Sequence, residues 1–482
     1  MNKKYLKTAK ELRCELKKSD VVAVGRYGVI GKNEPRIFDL GNYCVGKVRL
    51  KLSALGVFDA PVLIKFFFAE TKTELDTDVS NYNGTLSGSW IQKEIVHVDA
   101  LPCVLRLPRR YACRFIRMEI LAKSPYYAVS VDKLIFCETT SAKREVEPIG
   151  KTEKEKKIDA VALRTLRSCM QDEFEDGPKR DRRLWLGDLR IQALVNYVTY
   201  QNYDLVKRCL YLFAGTADED GRVSGSVFMK PKIYVNGGKM FDYPMLFAAT
   251  LLEYLDASGD EETAKELFPL ALRQAELLKD AFDENGMLNR EDKIGWCFID
   301  WDSKLDKLAC GHAVYIYGLK ITAKLCERLG ESVPSWLCNE IVEKSKTAKK
   351  YYYDELQGLF VDKDGKTAYV QNAWFCLAEL FPKNENKKIL QRLRMDKNAT
   401  LPVTPYGYHY YVQALCECGE TEEAKRVILA YWGKMADMQA DTFFEVFDPE
   451  DPTASPYGSA AINSYCHAWS CSPSYFYRKY GL

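Results

Sequence analysis

Thr139 to Lys157 reads TTSAKREVEPIGKTEKEKK, a stretch that is polar, charged and almost free of large apolar side chains. Such a composition buries little and marks a linker. It decides the fold because the hydrophobic period differs on its two sides. Before it come short alternating runs, VVAVGRYGVI (21–30), KVRLKLSAL (47–55), VLIKFFFAET (62–71), CVLRLP (103–108), CRFIRMEIL (113–121) and YAVSVDKLIFCE (127–138), separated by Gly, Pro, Asn and Asp turns. Period 2 over five to eight residues predicts an antiparallel β-sandwich or jelly roll over residues 1–145. Beyond Ile158 the period becomes that of amphipathic helices, so residues 146–157 link two domains. A chain of 482 residues exceeds the size of a single core and accommodates both.

The helical part, 158–482, holds twelve candidate helices, beginning near residues 158, 188, 203, 241, 260, 303, 335, 368, 384, 405, 420 and 461. Their connections alternate. Short turns such as LDASGDEET and CGETEE join the second helix to the third and so on, whereas the other connections are long, among them EFEDGPKRDRRLWLG, DENGMLNREDKIGWCFIDWD and MADMQADTFFEVFDPEDPTASPYGS. Antiparallel helices joined this way carry every long loop at one end. The pattern predicts an (α/α)6 barrel of six hairpins with one decorated mouth, and long, well-placed loops are where function resides.

Composition narrows the partner. With 69 basic and 67 acidic residues, a net charge of +2, the chain has no bulk attraction for nucleic acid or an anionic membrane, and a neutral or weakly charged partner, a small-molecule carbohydrate, fits better. No apolar run approaches the roughly 18 residues of a membrane span, and the N-terminus MNKKYLKTAKELRCELKKSD lacks the apolar stretch of a secretory signal, so a soluble cytoplasmic protein is expected. Sixteen scattered cysteines without C-x-x-C spacing read as reduced, mostly buried thiols. Neither CEC (416–418) nor CHAWSC (466–471) has the paired spacing of a zinc site, so neither metal nor cofactor is expected. The sequence leaves the oligomeric state open.

The long loops supply the candidate chemistry. The first carries DGPKRDRRLWLGD (176–188), the third GWCFIDWD (295–302) with Trp296, Asp300 and Trp301, and the last DTFFEVFDPEDP (441–452) with Glu445 among phenylalanines. Aromatic rings beside carboxylates suit a sugar: rings stack on C–H faces, and carboxylates and arginine bind hydroxyls. Cleaving a glycosidic bond further requires one protonated and one ionised carboxyl group across the anomeric carbon. Each candidate also has a plainer reading. Asp188 stands where it could cap the second helix, Asp181 lies between Arg180 and Arg182 and could be a surface ion pair, and His467 could be a satisfied histidine of the last helix. Glu445 is harder to explain that way, because an apolar setting is costly for an unused carboxylate.

DGPKRDRRLWLGD resembles the signature of the α-L-rhamnosidase family, written D-C-P-x-R-(D/E)-R-x-x-W-x-G-D. The resemblance extends through FIDWD, TLPVTPYGYHYYVQAL and the closing TFFEVFDPEDP and SYCHAWSCSPSYFYRKY, in the family's order, and so spans the helical domain. It implies an inverting glycoside hydrolase with a six-hairpin barrel preceded by a β-domain. By position, Asp181 falls on the general acid and Glu445 on the general base. Asp176, Arg180 and Asp188 fall on sugar-hydroxyl ligands, Trp185 and Trp301 on aromatic walls, and His467 on a further sugar contact. Two departures stand out. Asp181 replaces the usual Glu and reaches about one C–C bond less far; Gly177 replaces the commoner Cys, a change expected to be harmless.

Two functions follow: an inverting exo-glycosidase releasing a terminal α-L-rhamnose or related deoxyhexose, or a catalytically silent carbohydrate-binding protein using the same mouth. A polysaccharide lyase would call for a basic groove, of which the near-neutral chain shows no sign. The sandwich is expected to be structural, since its one tryptophan, Trp90, makes no sugar-binding platform.

Overall fold

The computed structural model describes residues 1–31, 34–289, 291–438, 440–451 and 453–482. The alternating segments form one antiparallel sheet network from β1 (Lys17–Val22), β2 (Val24–Gly25), β3 (Gly28–Ile30), β4 (Arg36–Gly56), β5 (Val62–Ala69), β6 (Lys93–Val98), β7 (Cys103–Arg106), β8 (Tyr111–Ala122) and β9 (Tyr127–Thr140). The main order is β1-β9-β4-β8-β5-β6, with β2 and β7 added on β4 and β3 on β9. β4 runs against β9 from Gly46↔Glu138 to Gly56↔Tyr127 and against β8 from Arg36↔Met118 to Gly46↔Tyr111. Inward residues including Phe38, Leu50, Ile64, Phe66, Ile116 and Phe136 share one buried core. At 21 residues β4 is longer than its alternation suggests. The pattern breaks between Asp39 and Cys44, where the register shifts and Gly41 takes φ 80°; that break is a bulge within one strand, not a turn between two.

Two short helices accompany the sheet. α1 (Lys3–Glu11) precedes it and α2 (Lys72–Asp76) follows β5. The helical domain comprises α3 (Glu153–Cys169), α4 (Leu186–Val198), α5 (Tyr203–Thr216), α6 (Asp242–Ser258), α7 (Glu261–Leu277), α8 (Glu291–Ile294), α9 (Lys307–Arg328), α10 (Ser335–Tyr352), α11 (Tyr369–Leu377), α12 (Lys383–Met395), α13 (Pro405–Glu417), α14 (Thr421–Asp437) and α15 (Pro473–Tyr480). α3 begins inside the charged stretch read as linker, because Thr152 and Glu155 form a reciprocal capping box there. α1, counted with the sheet domain from sequence, packs on α5 instead: Asn2 N donates to Gly215 O at 2.8 Å, and Arg208 reaches Ala9 O.

Contacts run α4 to α6, α6 to α9, α9 to α11 and α11 to α13, and the turn Ala468–Cys471 closes the circuit by touching both α13 and α4. α5, α7, α10, α12 and α14 lie against this circuit. The twelfth helix, expected from residue 461, does not form there. Tyr465 N donates to Glu70 Oε2 (2.8 Å), His467 N to Phe443 O (2.9 Å) and Ala468 N to Asp176 O (2.8 Å), so these backbone donors tie other segments together, and regular helix starts only at Pro473. None of the described helices is long and apolar enough to cross a membrane.

The two parts are locked by a buried charge cluster. Lys179 Nζ lies 2.9 Å from Glu70 Oε2 and 3.0 Å from Glu74 Oε1, and all three side chains have 0% exposure. Glu70 also accepts from Tyr43 Oη (2.7 Å). Burial raises Glu74 to about 7, while the two carboxylates outweigh burial at Lys179 and raise its pKa. Removing the cation strands two buried acids, so Lys179→Met is expected to cost about 3–5 kcal/mol in urea unfolding, with part recovered in the Lys179→Met/Glu70→Gln/Glu74→Gln variant. A loss of Lys179 tolerated within about 1 kcal/mol would show that the cluster does not hold the parts together.

Candidate active site

The loop after α3 is held in a tight ring. Asp176 N donates to Arg183 O (2.9 Å), Arg183 N to Asp176 Oδ1 (3.0 Å) and Arg182 N to Gly177 O (3.1 Å). A Cβ at Gly177 would lie 2.3 Å from Arg180 O and 2.6 Å from Ser464 Oγ. A side chain at this position would therefore require the ring or Ser464 to shift. Lys179 turns to the sheet domain, and Arg182 reaches Arg110 O there (3.2 Å). Arg180 and Asp181 turn the other way. After the ring, β10 (Leu184–Trp185) pairs with β11 (Ser226–Val227), which sets Trp185 at the head of α4. Asp188 lies in the first turn of α4 and makes no cap; the N-cap residue is Trp185.

The segment 296–301 is pinned to the start of α6. Trp296 N donates to Lys239 O and Phe241 N to Trp296 O, both at 2.9 Å, while Asp242 Oδ2 accepts from Phe298 N and Ile299 N, both at 3.1 Å. Asp300 faces away from the rings beside it: Oδ1 accepts from Trp301 N (2.7 Å) and Oδ2 from Val403 N (3.0 Å), tying this loop to the start of α13. The segments 442–445 and 464–467 are cross-linked by Glu445 N to Ser464 O (3.0 Å), Thr442 Oγ1 to Tyr465 O (2.7 Å) and Trp469 Nε1 to Glu445 O (3.0 Å). Phe443, Phe444 and Phe447 point into the core, leaving the Glu445 carboxylate on the open side.

These loops enclose a cavity of about 200 Å³, lined by Asp176, Arg180, Asp181, Trp185, Asp188, Trp296, Trp301, Glu445 and His467, nine of the ten residues singled out from sequence. Asp300 is the exception, buried behind Trp301 as a tie. Tyr243, Phe298, Tyr457, Trp469 and Leu86 complete the lining. Trp469 lies within the quoted CHAWSC run and Phe298 within FIDWD; nothing in the local sequence distinguishes Tyr457. Leu86 comes from the sheet domain, whose residues 79–91 pack with Trp301 and Tyr457, so that domain also shapes the site.

The charges are unevenly matched. The Arg180 guanidinium pairs with Glu445 Oε2, stands 3.6 Å from Asp181 Oδ1, donates to Ile462 O (2.9 Å) and lies 4.4 Å from the Tyr457 ring centre. Tyr457 Oη donates to Glu445 Oε1. Asp181 is 18% exposed and its Oδ2 lies 3.1 Å from Arg183 Nη1, whose guanidinium rests on the Phe228 ring at 4.3 Å. The ion-pair partners of Asp181 are thus Arg180 and Arg183, where the sequence suggested Arg180 and Arg182. Burial, then the charge of Asp181, pushes Asp176 up to about 8; burial, then Asp176 and Glu445, pushes Asp188 well above the carboxylate range. Burial, then Arg180, holds His467 far below its ordinary value, so it is neutral. Asp188 Oδ1 and His467 Nδ1, 3.5 Å apart, and Trp301 Nε1 are buried without a hydrogen-bond partner among the described residues. Three such atoms on one small cavity match the hydroxyls of a polyol. Among the described residues no group of three or more His, Cys, Asp or Glu is placed to hold a metal.

Residues 7–138 match the N-terminal domain model of glycosyl hydrolase family 78 alpha-rhamnosidases, and residues 152–480 match the bacterial alpha-L-rhamnosidase 6 hairpin glycosidase domain. The rhamnosidase from Klebsiella oxytoca, solved with rhamnose bound, is 38% identical, with a TM-score of 0.95 over 100% of this chain and 99% of that one. The family 78 rhamnosidase of Bacillus sp. GL1 shares the fold at 20% identity, with a TM-score of 0.78 over 94% of this chain and 47% of its own. The Streptomyces avermitilis alpha-L-rhamnosidase, complexed with L-rhamnose, shares it at 16% identity and a TM-score of 0.73, over 97% of this chain and 44% of its own. No curated protein sequence matches the chain.

The raised carboxyls have a consequence for stability. Asp176 keeps its proton up to about pH 8 when folded but loses it near 4 when unfolded, so the native state binds more protons between these values and stability falls as pH rises through them. Asp176→Asn, which cannot ionise, is expected to show a smaller drop in thermal midpoint from pH 5 to 8 than the parent. Parallel midpoint curves would contradict the protonated Asp176.

Proposed function

This chain belongs to the glycoside hydrolase family 78 α-L-rhamnosidases, and we propose that it releases a terminal α-L-rhamnose, or a related deoxyhexose, from a short oligosaccharide or glycoside with inversion at the anomeric carbon. The observation that carries this reading is the small cavity whose aromatic walls alternate with carboxyl groups and buried polar atoms lacking partners. In this reading the closed helix circuit is an (α/α)6 barrel of six hairpins and the bent sheet a β-sandwich, divided near residues 145 and 158 with α1 packed on the barrel. A reducing, cytoplasmic setting suits sixteen unpaired cysteines.

Asp181 is assigned as general acid and Glu445 as general base. Both line the cavity, and one guanidinium touches each from a different nitrogen, which keeps the carboxyls apart. Inversion requires room for a water between sugar and base, a carboxyl separation of about 6.5 to 9.5 Å. Asp181 protonates the glycosidic oxygen as its bond to the anomeric carbon breaks, while Glu445 takes a proton from the attacking water on the opposite face. Arg183, backed by the Phe228 ring, holds the shorter Asp181 side chain toward the cavity. Asp176, Arg180, Asp188 and His467 take the sugar hydroxyls. Trp185, Trp296 and Trp301 stack on its C–H faces and methyl group. Asp300 acts at one remove, by holding the loop that presents Trp301.

A panel of nitrophenyl glycosides tests the sugar, with the α-L-rhamnoside expected to be cleaved fastest; a silent binding protein would cleave none. Glu445→Gln is expected to lower turnover by about 10²–10⁴-fold for every leaving group, whereas Asp181→Asn should spare activated aryl leaving groups and penalise natural glycosides. Equal losses for both classes of leaving group in Asp181→Asn would remove it from the acid role.

A further inference from the structure

A second cavity is larger than the one just described. It opens along the seam between the sheet domain and the helical domain, has a volume of about 900 Å³, and shares no residue with the smaller cavity. Seven lysines and arginines line it against three acids, Asp172, Glu173 and Glu175. Two of those acids are already matched: Asp172 pairs with Arg13 at 2.6 Å and Glu175 with Arg110 at 2.7 Å. Arg208 donates to the backbone oxygens of Asp172 and Ala9, which leaves Lys10 of α1, Lys18 of β1, Lys47 of β4 and Lys230 of the segment after β11, none of which has a carboxylate within ion-pair distance among the described residues. In a chain whose net charge is +2, four uncompensated cations around one opening make a local positive field.

The inner wall adds a second, independent feature. Glu173 is 4% exposed, and its Oε2 has no hydrogen-bond partner among the described residues. Burial, then the charge of Glu175, pushes Glu173 up to about 8, so it holds a proton at neutral pH and can donate as well as accept. A buried carboxyl in that state is completed by a hydroxyl-bearing ligand. No aromatic ring lines the cavity among the described residues, so stacking is not the mode of recognition. The four lysines come from four separate segments, so a ligand that meets all of them carries more than one anionic group.

We propose that this seam cavity is a second ligand site, separate from the hydrolytic one, and that it binds an acidic oligosaccharide, a hydroxyl-rich chain with a carboxylate on successive sugar units. Composition alone pointed to a neutral or weakly charged partner, and the site was invisible there because residues 10, 18, 47 and 230 meet only after folding.

Isothermal titration calorimetry of the full chain with trigalacturonate as probe tests this, with maltotriose as the neutral control and inorganic phosphate and sulfate as separate arms. Saturable binding of trigalacturonate is expected, absent for maltotriose, and weakened about tenfold or more by Lys47→Glu/Lys230→Glu. The variant should keep the parent's thermal midpoint and its rate on an aryl α-L-rhamnoside, since neither lysine lines the smaller cavity. The proposal is overturned by no binding at millimolar trigalacturonate, by equal binding of maltotriose, by binding that the double variant leaves unchanged, or by phosphate or sulfate binding as tightly as the trisaccharide. Because the readout is binding, it remains interpretable whether or not rhamnosides are hydrolysed.

Discussion

A lysine with no solvent exposure can persist only beside charges of opposite sign, and Lys179 meets that requirement between Glu70 and Glu74. The constraint reaches further than the pair itself. Lys179 belongs to the ring Asp176–Arg183, and both glutamates belong to the sheet domain, so the ring is seated by the other half of the molecule. Glu70 also accepts from the backbone of Tyr465, two residues before His467. One buried cluster thereby registers the segment carrying Arg180 and Asp181 against the segment carrying His467. The sheet domain is thus part of the candidate site's foundation, and it places Leu86 in the cavity wall.

Within the cavity the opposing requirement holds. Four carboxyl groups and one arginine share about 200 Å³, too little positive charge for all four acids to ionise cheaply. The structure divides them by setting. Burial pushes Asp176 up to about 8 and Asp188 well above the carboxylate range; Glu445 is held by Arg180 and the Tyr457 hydroxyl, and Asp181, the assigned acid, lies near the opening beside Arg180 and Arg183. Arginine–carboxylate contacts and protonated acids in one small space give the mixture of donors and acceptors that sugar hydroxyls require, and the aromatic rings exclude water around them.

Much of this was legible because two periods and two loop lengths carry physical meaning. The switch from period 2 to period 3.6 at the charged stretch marks the passage from sheet to helices, and three of the long connections, those carrying Asp181, Trp301 and Glu445, meet at one cavity. What escaped the sequence depended on contacts between distant segments. Asp300 has the composition of a sugar ligand and the partners of a tie, since Val403 N is more than a hundred residues away. A helix was expected from residue 461, but the backbone donors of Tyr465, His467 and Ala468 are used by Glu70, Phe443 and Asp176. Gly177 could be judged only once Arg180 O was known to pass beside it. The broken alternation at Gly41 concealed a single bulged strand.

The central claim is that the cavity hydrolyses an α-L-rhamnoside by direct attack of water, with Asp181 and Glu445 on opposite faces of the sugar. Proton NMR of the anomeric region, recorded from the first minutes of hydrolysis, tests it most directly. The account requires β-L-rhamnose to appear first, with the α anomer rising only later through mutarotation. Initial release of α-L-rhamnose would mean a covalent intermediate and net retention, and would contradict the roles assigned to both residues.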